Sequence, residues 1–275
     1  MGKVEKMRIG IFYLDGVEIE EAAKELISFF RKRNVEILAN EELKKAKHGE
    51  DMIIVSLGGD GTFLKASHIG IEIDVPVIGV NLGNLGFLTD VEARDLFDAA
   101  EELLKGHFFI DKRSILKCTV VSESSEEKSF YAVNDFILMR YLNSKLLHSE
   151  VFIDGVGAGK FRSDGLIVAT PTGSTAYALS LNGPIITPLS PVYELVFIAP
   201  HKLSARPVVF SDKNTLSLRI LSKDPVSFQR DGEELLRLKM FDRLIFKNAE
   251  KQLSVAHLKK KNFFDVLNKK FGWGK

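Results

Sequence analysis

The sequence predicts an α/β domain with a mostly parallel sheet, followed by an all-β domain. Apolar strands alternate with amphipathic helices over the first part of the chain. After Gly106 the pattern changes to short alternating strands separated by turn residues, and a helical pattern returns near the C-terminus. We therefore expect an α/β domain at residues 1–107, joined by a C-terminal helix at 257–275, and a β domain at residues 108–256.

The α/β domain is indicated by the order of its elements. Three apolar runs, at residues 8–14, 52–57 and 75–80, are typical of buried strands. Residues 19–30 carry apolar side chains at helical spacing, and residues 93–105 are also expected to form a helix. Because strands and helices alternate, the strands should run parallel through right-handed crossovers.

The β domain is indicated by alternating patterns of period two. Residues 116–121 and 130–133 flank the polar segment 122–128, which predicts a hairpin. Similar alternation occurs at residues 216–220 and 236–240. The tail at residues 262–271 is helical in pattern and is expected to pack back on the first domain.

Composition narrows the class of protein. The 275 residues are 45% hydrophobic and 27% charged, with a formal net charge of +1. The chain therefore lacks the excess of positive charge that is typical of nucleic-acid-binding proteins, and we expect no nucleic-acid partner. No apolar stretch approaches the roughly 20 residues of a membrane-spanning helix, so we expect no membrane partner. The one cysteine, Cys118, has no internal disulfide partner, and no signal-peptide pattern precedes the first strand. These features favour a cytoplasmic protein.

A glycine-rich segment follows the second predicted strand. It reads Ser56-Leu57-Gly58-Gly59-Asp60-Gly61-Thr62, with a helix expected to begin near Thr62. Glycines let backbone amides approach a phosphate closely, and a helix N-terminus favours negative charge. A tight glycine turn without a ligand would give the same local pattern.

Asp60 favours the functional interpretation. A carboxylate among phosphate-binding amides is unfavourable unless it holds Mg²⁺ or accepts a proton from a hydroxyl nucleophile. The segment is neither a Walker A loop nor a G-x-G-x-x-G fingerprint. The glycines of Gly155–Gly159 also miss that fingerprint and are expected to form a β-turn.

Three further segments combine polar residues with strand ends. Asn81–Asp90 follows the third strand, and Asn134-Asp135 interrupts an apolar run, where a bulge or a ligand-binding pair would both fit. Arg162–Ser180 contains a strand that breaks at Pro171, then the hydroxyls of Thr172, Ser174 and Thr175 and the ring of Tyr177. A helix cap needs one hydroxyl rather than three, which favours a ligand-binding turn.

Together and in this order, these segments resemble the NAD kinase family. Gly58-Gly59-Asp60-Gly61-Thr62 matches its GGDGT motif, Asn134-Asp135 its Asn-Asp/Glu pair, and Thr170–Tyr177 its TPTGSTAY motif. Pro200–Pro207 also looks like a segment of that family. GGDGT alone is shared with diacylglycerol and sphingosine kinases. The resemblance covers roughly residues 8 to 256, and the TPTGSTAY match with the Asn-Asp pair carries most weight.

The resemblance implies a two-domain subunit with a C-terminal β-sandwich, an active site between the domains, and assembly as a homodimer or homotetramer in which neighbouring subunits help to build the dinucleotide site. It implies ATP and NAD as substrates, Mg²⁺ or another divalent cation, and phosphorylation of the adenosine ribose 2′-hydroxyl to give NADP. Asp60 would be the general base, and Gly58, Gly59, Gly61 and Thr62 would form the phosphate loop. The residues that would bind NAD are Asp60, Gly61, Asn134, Asp135, Lys145, Arg162, Asp164, Thr172, Thr175, Ala176, Tyr177 and Ser180.

Three alternatives differ in class. A lipid or sphingoid kinase would share the GGDGT loop but would need an apolar substrate groove, and the chain shows no amphipathic anchor. A non-catalytic NAD(P) sensor would gain nothing from Asp60 beside phosphates. A dehydrogenase would need the G-x-G-x-x-G loop that is missing here. After the turn Asp231-Gly232 the chain continues with Glu233-Glu234, where the family often has Gln, so a contact from this turn stays open.

Overall fold

The structure is a computed structural model that describes residues 7–49, 51–83, 86–141, 144–259 and 262–274. The chain divides into two compact units, the first formed by Met1–Arg113 with Leu253–Lys275 and the second by Ser114–Gln252. None of the helices within the described residues is long and apolar enough to cross a membrane.

Strands outnumber helices among the described elements. The strands are β1 (Arg8–Tyr13), β2 (Ile37–Ala39), β3 (Met52–Leu57), β4 (Val77–Asn81), β5 (Val91–Glu92), β6 (Phe109–Val121), β7 (Glu127–Ala132), β8 (Asp135–Arg140), β9 (Leu147–Ile153), β10 (Val156–Ser163), β11 (Gly165–Ala169), β12 (Val192–Ile198), β13 (Val208–Ser211), β14 (Leu216–Ile220), β15 (Val226–Arg230), β16 (Glu233–Leu238) and β17 (Arg243–His257). The helices are α1 (Val17–Arg31), α2 (Asp60–Ile73), α3 (Leu96–Leu104), α4 (Tyr177–Ser180) and α5 (Phe263–Phe271), with 3₁₀ turns at Asn40–Lys45, Ala93–Asp95 and Gly173–Thr175.

In the first unit, a parallel sheet carries the glycine loop at the end of one strand. The strand order is β2-β1-β3-β4, and β4 also pairs in parallel with β5 and, at Val77, with Val255 of β17. Strands β3 and β4 are buried along their whole length, as expected for strands covered on both faces. Helix α1 buries Ala23, Leu26 and Phe30 in the same core.

In the second unit, two sets of antiparallel strands form a sandwich. One sheet has the order β13-β12-β11-β8-β15-β16, and the other set contains β10-β9-β14-β17 and the hairpin β6-β7. Side chains from both sets meet in one core, for example Phe136 and Phe228 from the first sheet with Leu218 and Phe246 from the second. Burial of these large apolar groups provides the main stabilising term.

The predicted fold class, a mostly parallel α/β unit and a β-sandwich, is confirmed. The prediction of a β-turn at Gly155–Gly159 is wrong over most of its length. Gly155 lies in a turn with φ +79, but Gly157 and Gly159 lie in β10. The register between β10 and β9 shifts there, so the glycines accompany a bulge in a strand.

Candidate active site

The glycine loop joins β3 to α2, and its backbone shape depends on Gly58. This residue has φ +145, and a Cβ added there would stand 2.4 Å from Thr62 Oγ1. A residue with a side chain would therefore be strained and would collide with the first turn of α2. Gly58 is a structural requirement of the loop.

The next two glycines keep the loop open. A Cβ added at Gly59 or Gly61 would meet no atom within 4 Å. Helix α2 begins at Asp60, and Gly59 provides no side-chain cap, so the first-turn N–H groups have no side-chain acceptor from that position. Free space beside helical N–H groups is suited to phosphate oxygens.

Asp60 is held by the loop that follows β4. Its Oδ2 accepts the N–H of Phe87 at 2.9 Å, and its Oδ1 accepts the N–H of Leu88 at 3.1 Å. Gly86 packs against the same carboxylate, since a Cβ there would stand 2.0 Å from Asp60 Oδ1. The carboxylate is thus fixed while each oxygen keeps a lone pair for another donor. Asn84 and Leu85 of the Asn81–Asp90 segment lie outside the described residues.

In the second unit, Asp231 organises the Asn-Asp pair. Its carboxylate accepts the N–H groups of Val133, Asn134 and Asp135 at 2.9, 2.8 and 3.0 Å. Asp231 has φ +48 and Gly232 has φ +85, which is the geometry of a tight hairpin turn between β15 and β16. The turn therefore contacts the backbone of the Asn-Asp segment through Asp231, and nothing in the sequence near Asn134 points to this contact.

Asp135 is a buried acid. Burial, and secondarily the negative charge of Asp231, raises the pKa of Asp135 to about 8. The carboxyl is thus protonated around neutral pH and can donate as well as accept a hydrogen bond. Beside it, Asn134 Oδ1 is buried and makes no hydrogen bond within the described residues.

The hydroxyls of the Thr170–Thr175 segment mostly form hydrogen bonds with backbone groups. Thr170 Oγ1 donates to Val133 O at 2.6 Å, and Ser174 Oγ donates to Pro171 O and accepts the N–H of Ile186 at 3.0 Å. Thr175 Oγ1 donates to Thr172 O at 3.4 Å. The interpretation of Ser174 as part of a ligand-binding row of hydroxyls is wrong, because this hydroxyl is buried and joins two backbone segments.

The other predicted residues of this segment differ in accessibility. Thr172 is buried, Thr175 and Ala176 are half-buried, and Tyr177 and Ser180 are exposed on the short helix α4. Asn134 lies against them, since a Cβ added at Gly173 would stand 2.1 Å from its carbonyl oxygen. Asn134, Asp135, Thr172, Thr175, Ala176, Tyr177 and Ser180 therefore group at the end of β11 where the strand breaks.

Lys145, Arg162 and Asp164 lie at the other end of that strand. Asp164 Oδ1 accepts from Arg140 Nε at 2.5 Å, and Arg162 is the exposed penultimate residue of β10. The backbone N–H of Lys145 donates to Asp224, and Arg140 also donates to Ser144 O. The five residues of β11 separate Asp164 from Thr170, which is roughly 20 Å of extended chain. A single second unit does not bring these three residues to the Asn-Asp pair.

Neither unit contains a preformed metal site within the described residues, where no group of three or more His, Cys, Asp or Glu side chains is placed to hold an ion.

Comparison with known proteins agrees with this picture. The family model for the ATP-NAD kinase N-terminal domain matches residues 18–108, and that for the C-terminal domain matches residues 133–258. The NAD kinase of Methanothermobacter thermautotrophicus is 36% identical over 276 residues, which cover 96% of each chain. The NAD kinase of Escherichia coli is 36% identical over 224 residues, which cover 81% of this chain and 77% of that one.

Two solved structures share the fold. Yeast NADH kinase complexed with NADH matches with a TM-score of 0.87 at 24% identity, over 98% of this chain and 88% of that one. An NAD kinase from Archaeoglobus fulgidus in complex with ATP matches with a TM-score of 0.75 at 24% identity, over 96% and 98%. With both family domains matched over most of the chain, and relatives at this identity along its length, the protein belongs to the NAD kinase family.

Proposed function

We propose that this NAD kinase, which uses ATP to convert NAD to NADP, relies on Asp60 to accept the proton of the ribose 2′-hydroxyl. The observation that carries the proposal is the position of Asp60 at the first turn of α2, with its carboxylate fixed by the amides of Phe87 and Leu88. A fixed acceptor beside helical N–H groups suits phosphoryl transfer to an alcohol.

The reaction then needs little covalent chemistry from the protein. The 2′-oxygen forms a bond to the γ-phosphorus of ATP, the bond from that phosphorus to the bridging oxygen breaks, and ADP leaves with the electron pair. The hydroxyl proton passes to Asp60. Because a ribose hydroxyl is a weak nucleophile near neutral pH, placement of the reacting groups must supply much of the rate.

The phosphates of ATP would be bound by the loop Gly58–Thr62. The open space at Gly59 and Gly61, beside the N-terminus of α2, supports this assignment. We propose that Mg²⁺ enters as the ATP complex, with phosphate oxygens and water as its main ligands. Its charge would neutralise the phosphate oxygens.

NAD would be bound by the group of residues at the end of β11. Asn134 offers a buried amide oxygen, and Asp135 offers a carboxyl that can donate or accept. Both suit the amine and hydroxyl groups of adenosine. The exposed ring of Tyr177, with Thr172, Thr175, Ala176 and Ser180 around the same break in the strand, would line the rest of the pocket.

We further propose a homo-oligomer. Lys145, Arg162 and Asp164 lie roughly 20 Å of extended chain away from Asn134 and Asp135 within one second unit. A neighbouring copy that contributes part of the set, as the family resemblance implies, would bring all of them to one dinucleotide site. We also propose that the protein is located in the cytoplasm. Its single cysteine, Cys118, is buried and has no second cysteine with which to form a disulfide, as is usual in a reducing compartment.

The test is NADP formation by the purified protein with ATP, Mg²⁺ and NAD, comparing the unaltered protein with Asp60→Asn. We expect Asp60→Asn to lower kcat by roughly a hundredfold or more, because general-base contributions are typically of that size. NAD binding measured by calorimetry should stay within about twofold. The matched control is Asp74→Asn, at the opposite end of α2, where Asn tolerates the left-handed backbone (φ +56). Turnover by Asp60→Asn close to that of the control would remove Asp60 from the base role.

A further inference from the structure

The loop that fixes Asp60 is itself fixed at Asp90. This loop, defined here as residues 86–90, supplies the two amides that bind the Asp60 carboxylate. At its end the N–H of Asp90 donates to Gly79 O at 3.0 Å, and a carboxylate oxygen of Asp90 contacts Nδ1 of His257. The side chain of Asp90 is 11% exposed and that of His257 is 3% exposed, so this contact is shielded from water.

His257 faces carboxylates with both ring nitrogens. Nδ1 meets Asp90, and Nε2 lies 3.2 Å from Asp111 Oδ2, near enough for an ion pair although its direction does not suit a hydrogen bond. The charged groups around the ring also include Arg113, which is buried and lies near both aspartates. The ring thus lies between two carboxylates, and its closer contact is the one with Asp90.

The position of His257 in the fold holds its side chain firmly beside Asp90. It is the last residue of β17, and two residues earlier Val255 pairs in parallel with Val77 of β4. Strand β4 also carries Gly79, whose carbonyl receives the N–H of Asp90. Backbone and side chain of Asp90 are therefore both tied to the central part of the sheet, and the amides of Phe87 and Leu88 lie only three and two residues before it.

We propose that His257 is a positioning residue for the phosphoryl-transfer step. It holds Asp90, Asp90 holds the end of the 86–90 loop, and the loop amides orient the Asp60 carboxylate toward the attacking hydroxyl. The inference rests on the proposed role of Asp60. It assigns no contact between His257 and a substrate, so removing the Asp90 contact should lower kcat and leave KM for NAD and ATP unchanged.

Two substitutions separate the ring nitrogens. The side-chain nitrogen of Asn is bonded to Cγ, as is Nδ1 of His, so His257→Asn keeps a donor for Asp90. The nitrogen of Gln lies one atom further out, near the place of Nε2, so His257→Gln keeps a donor toward Asp111 and loses the one to Asp90. The matched control is His107→Gln, an exposed histidine of the same unit whose Nδ1 pairs with Glu102.

We expect His257→Gln to lower kcat roughly 10- to 100-fold, the size of effect that a small misplacement of a catalytic group produces. His257→Asn should lose about threefold or less, and His107→Gln should match the unaltered protein. KM for NAD and ATP should stay within about twofold in all three. Equal losses in the Asn and Gln variants, or a loss expressed in KM, would overturn the positioning role.

A second comparison uses Asp60→Asn as the background. If His257 acts through Asp60, adding His257→Gln to Asp60→Asn should cause no further loss of the residual turnover. A further loss of 10-fold or more shows an independent, structural effect and overturns the proposal. If His257→Gln does not fold, the Asn variant decides, and a loss of 10-fold or more in it overturns the proposal. Failure of the proposed role of Asp60 would instead appear as turnover by Asp60→Asn close to that of the unaltered protein.

Discussion

Removing the carboxylate of Asp231 should destabilise the second unit and weaken NAD binding together. One side chain accepts three consecutive backbone N–H groups, from Val133, Asn134 and Asp135. In Asp231→Ala all three lose their acceptor while the hairpin that covers them stays in place. A hydrogen bond to a charged group contributes about 1.5 kcal/mol or more, and partial exposure reduces this to about 1 kcal/mol each. The expected loss in the free energy of unfolding is therefore about 3 kcal/mol.

Asp231→Asn should have a smaller effect of the same kind. Asn also tolerates the positive φ of +48 at this position. Its amide oxygen can replace Oδ1, which accepts from Asn134 and Asp135, but its NH₂ group cannot accept the N–H of Val133. We expect a loss of about 1 kcal/mol, on the basis of one missing bond.

Urea unfolding followed by circular dichroism measures both losses, and initial rates of NADP formation give KM for NAD. KM should rise in the same order, Ala above Asn above the unaltered protein, because the Asn-Asp segment loses its fixed position. The reasoning is refuted if the free energy of unfolding of Asp231→Ala lies within about 0.5 kcal/mol of that of the unaltered protein. The three amides would then have found water or other partners.

Two further perturbations test the same geometry. Gly86→Ala should lower kcat at least roughly 10-fold, since its Cβ would stand 2.0 Å from Asp60 Oδ1, whereas Gly83→Ala in the same segment meets no atom within 4 Å and should leave kcat unchanged. Equal rates for these two variants in the NADP assay would contradict the close approach. For Asp135, a pKa of about 8 in the folded state against about 3.9 unfolded means that the folded protein binds one more proton between these values. Stability therefore falls as pH rises through that window, and Asp135→Asn removes this slope. The stability of Asp135→Asn relative to the unaltered protein should rise from pH 5 to pH 8 in urea titrations, and parallel curves at both pH values would contradict it. Glu194, whose pKa burial raises to about 7, contributes a slope of the same sign to both proteins and cancels in the comparison.

Local features of the site were predictable from the sequence because they depend on neighbours along the chain. An apolar run that ends in glycines and is followed by a helical pattern defines the strand, loop and helix around Asp60. The order of strands and helices likewise predicted a parallel sheet. The steric demand at Gly58 involves Thr62, only four residues away.

Contacts between distant segments were not predictable in this way. Asp231 lies 97 residues from Asn134, and His257 lies 167 residues from Asp90. Ser174 illustrates an error in the other direction, in which a ligand contact was expected and a contact within the protein was found. Its hydroxyl accepts the N–H of Ile186, twelve residues later. A sequence displays donors and acceptors, but which of them meet is decided by the packing of the whole unit.

The way Asp60 is held bears on how the reaction proceeds. Its carboxylate accepts the N–H groups of Phe87 and Leu88, and these two contacts fix the direction of the oxygen lone pairs that face other donors. A ribose 2′-hydroxyl is a weak acid until its oxygen begins to bond to phosphorus, so transfer of its proton is favoured late in the step. Asp60 therefore contributes first by orienting the hydroxyl and only later by taking its proton. The geometry of the 86–90 loop, which sets that orientation, should for this reason govern kcat.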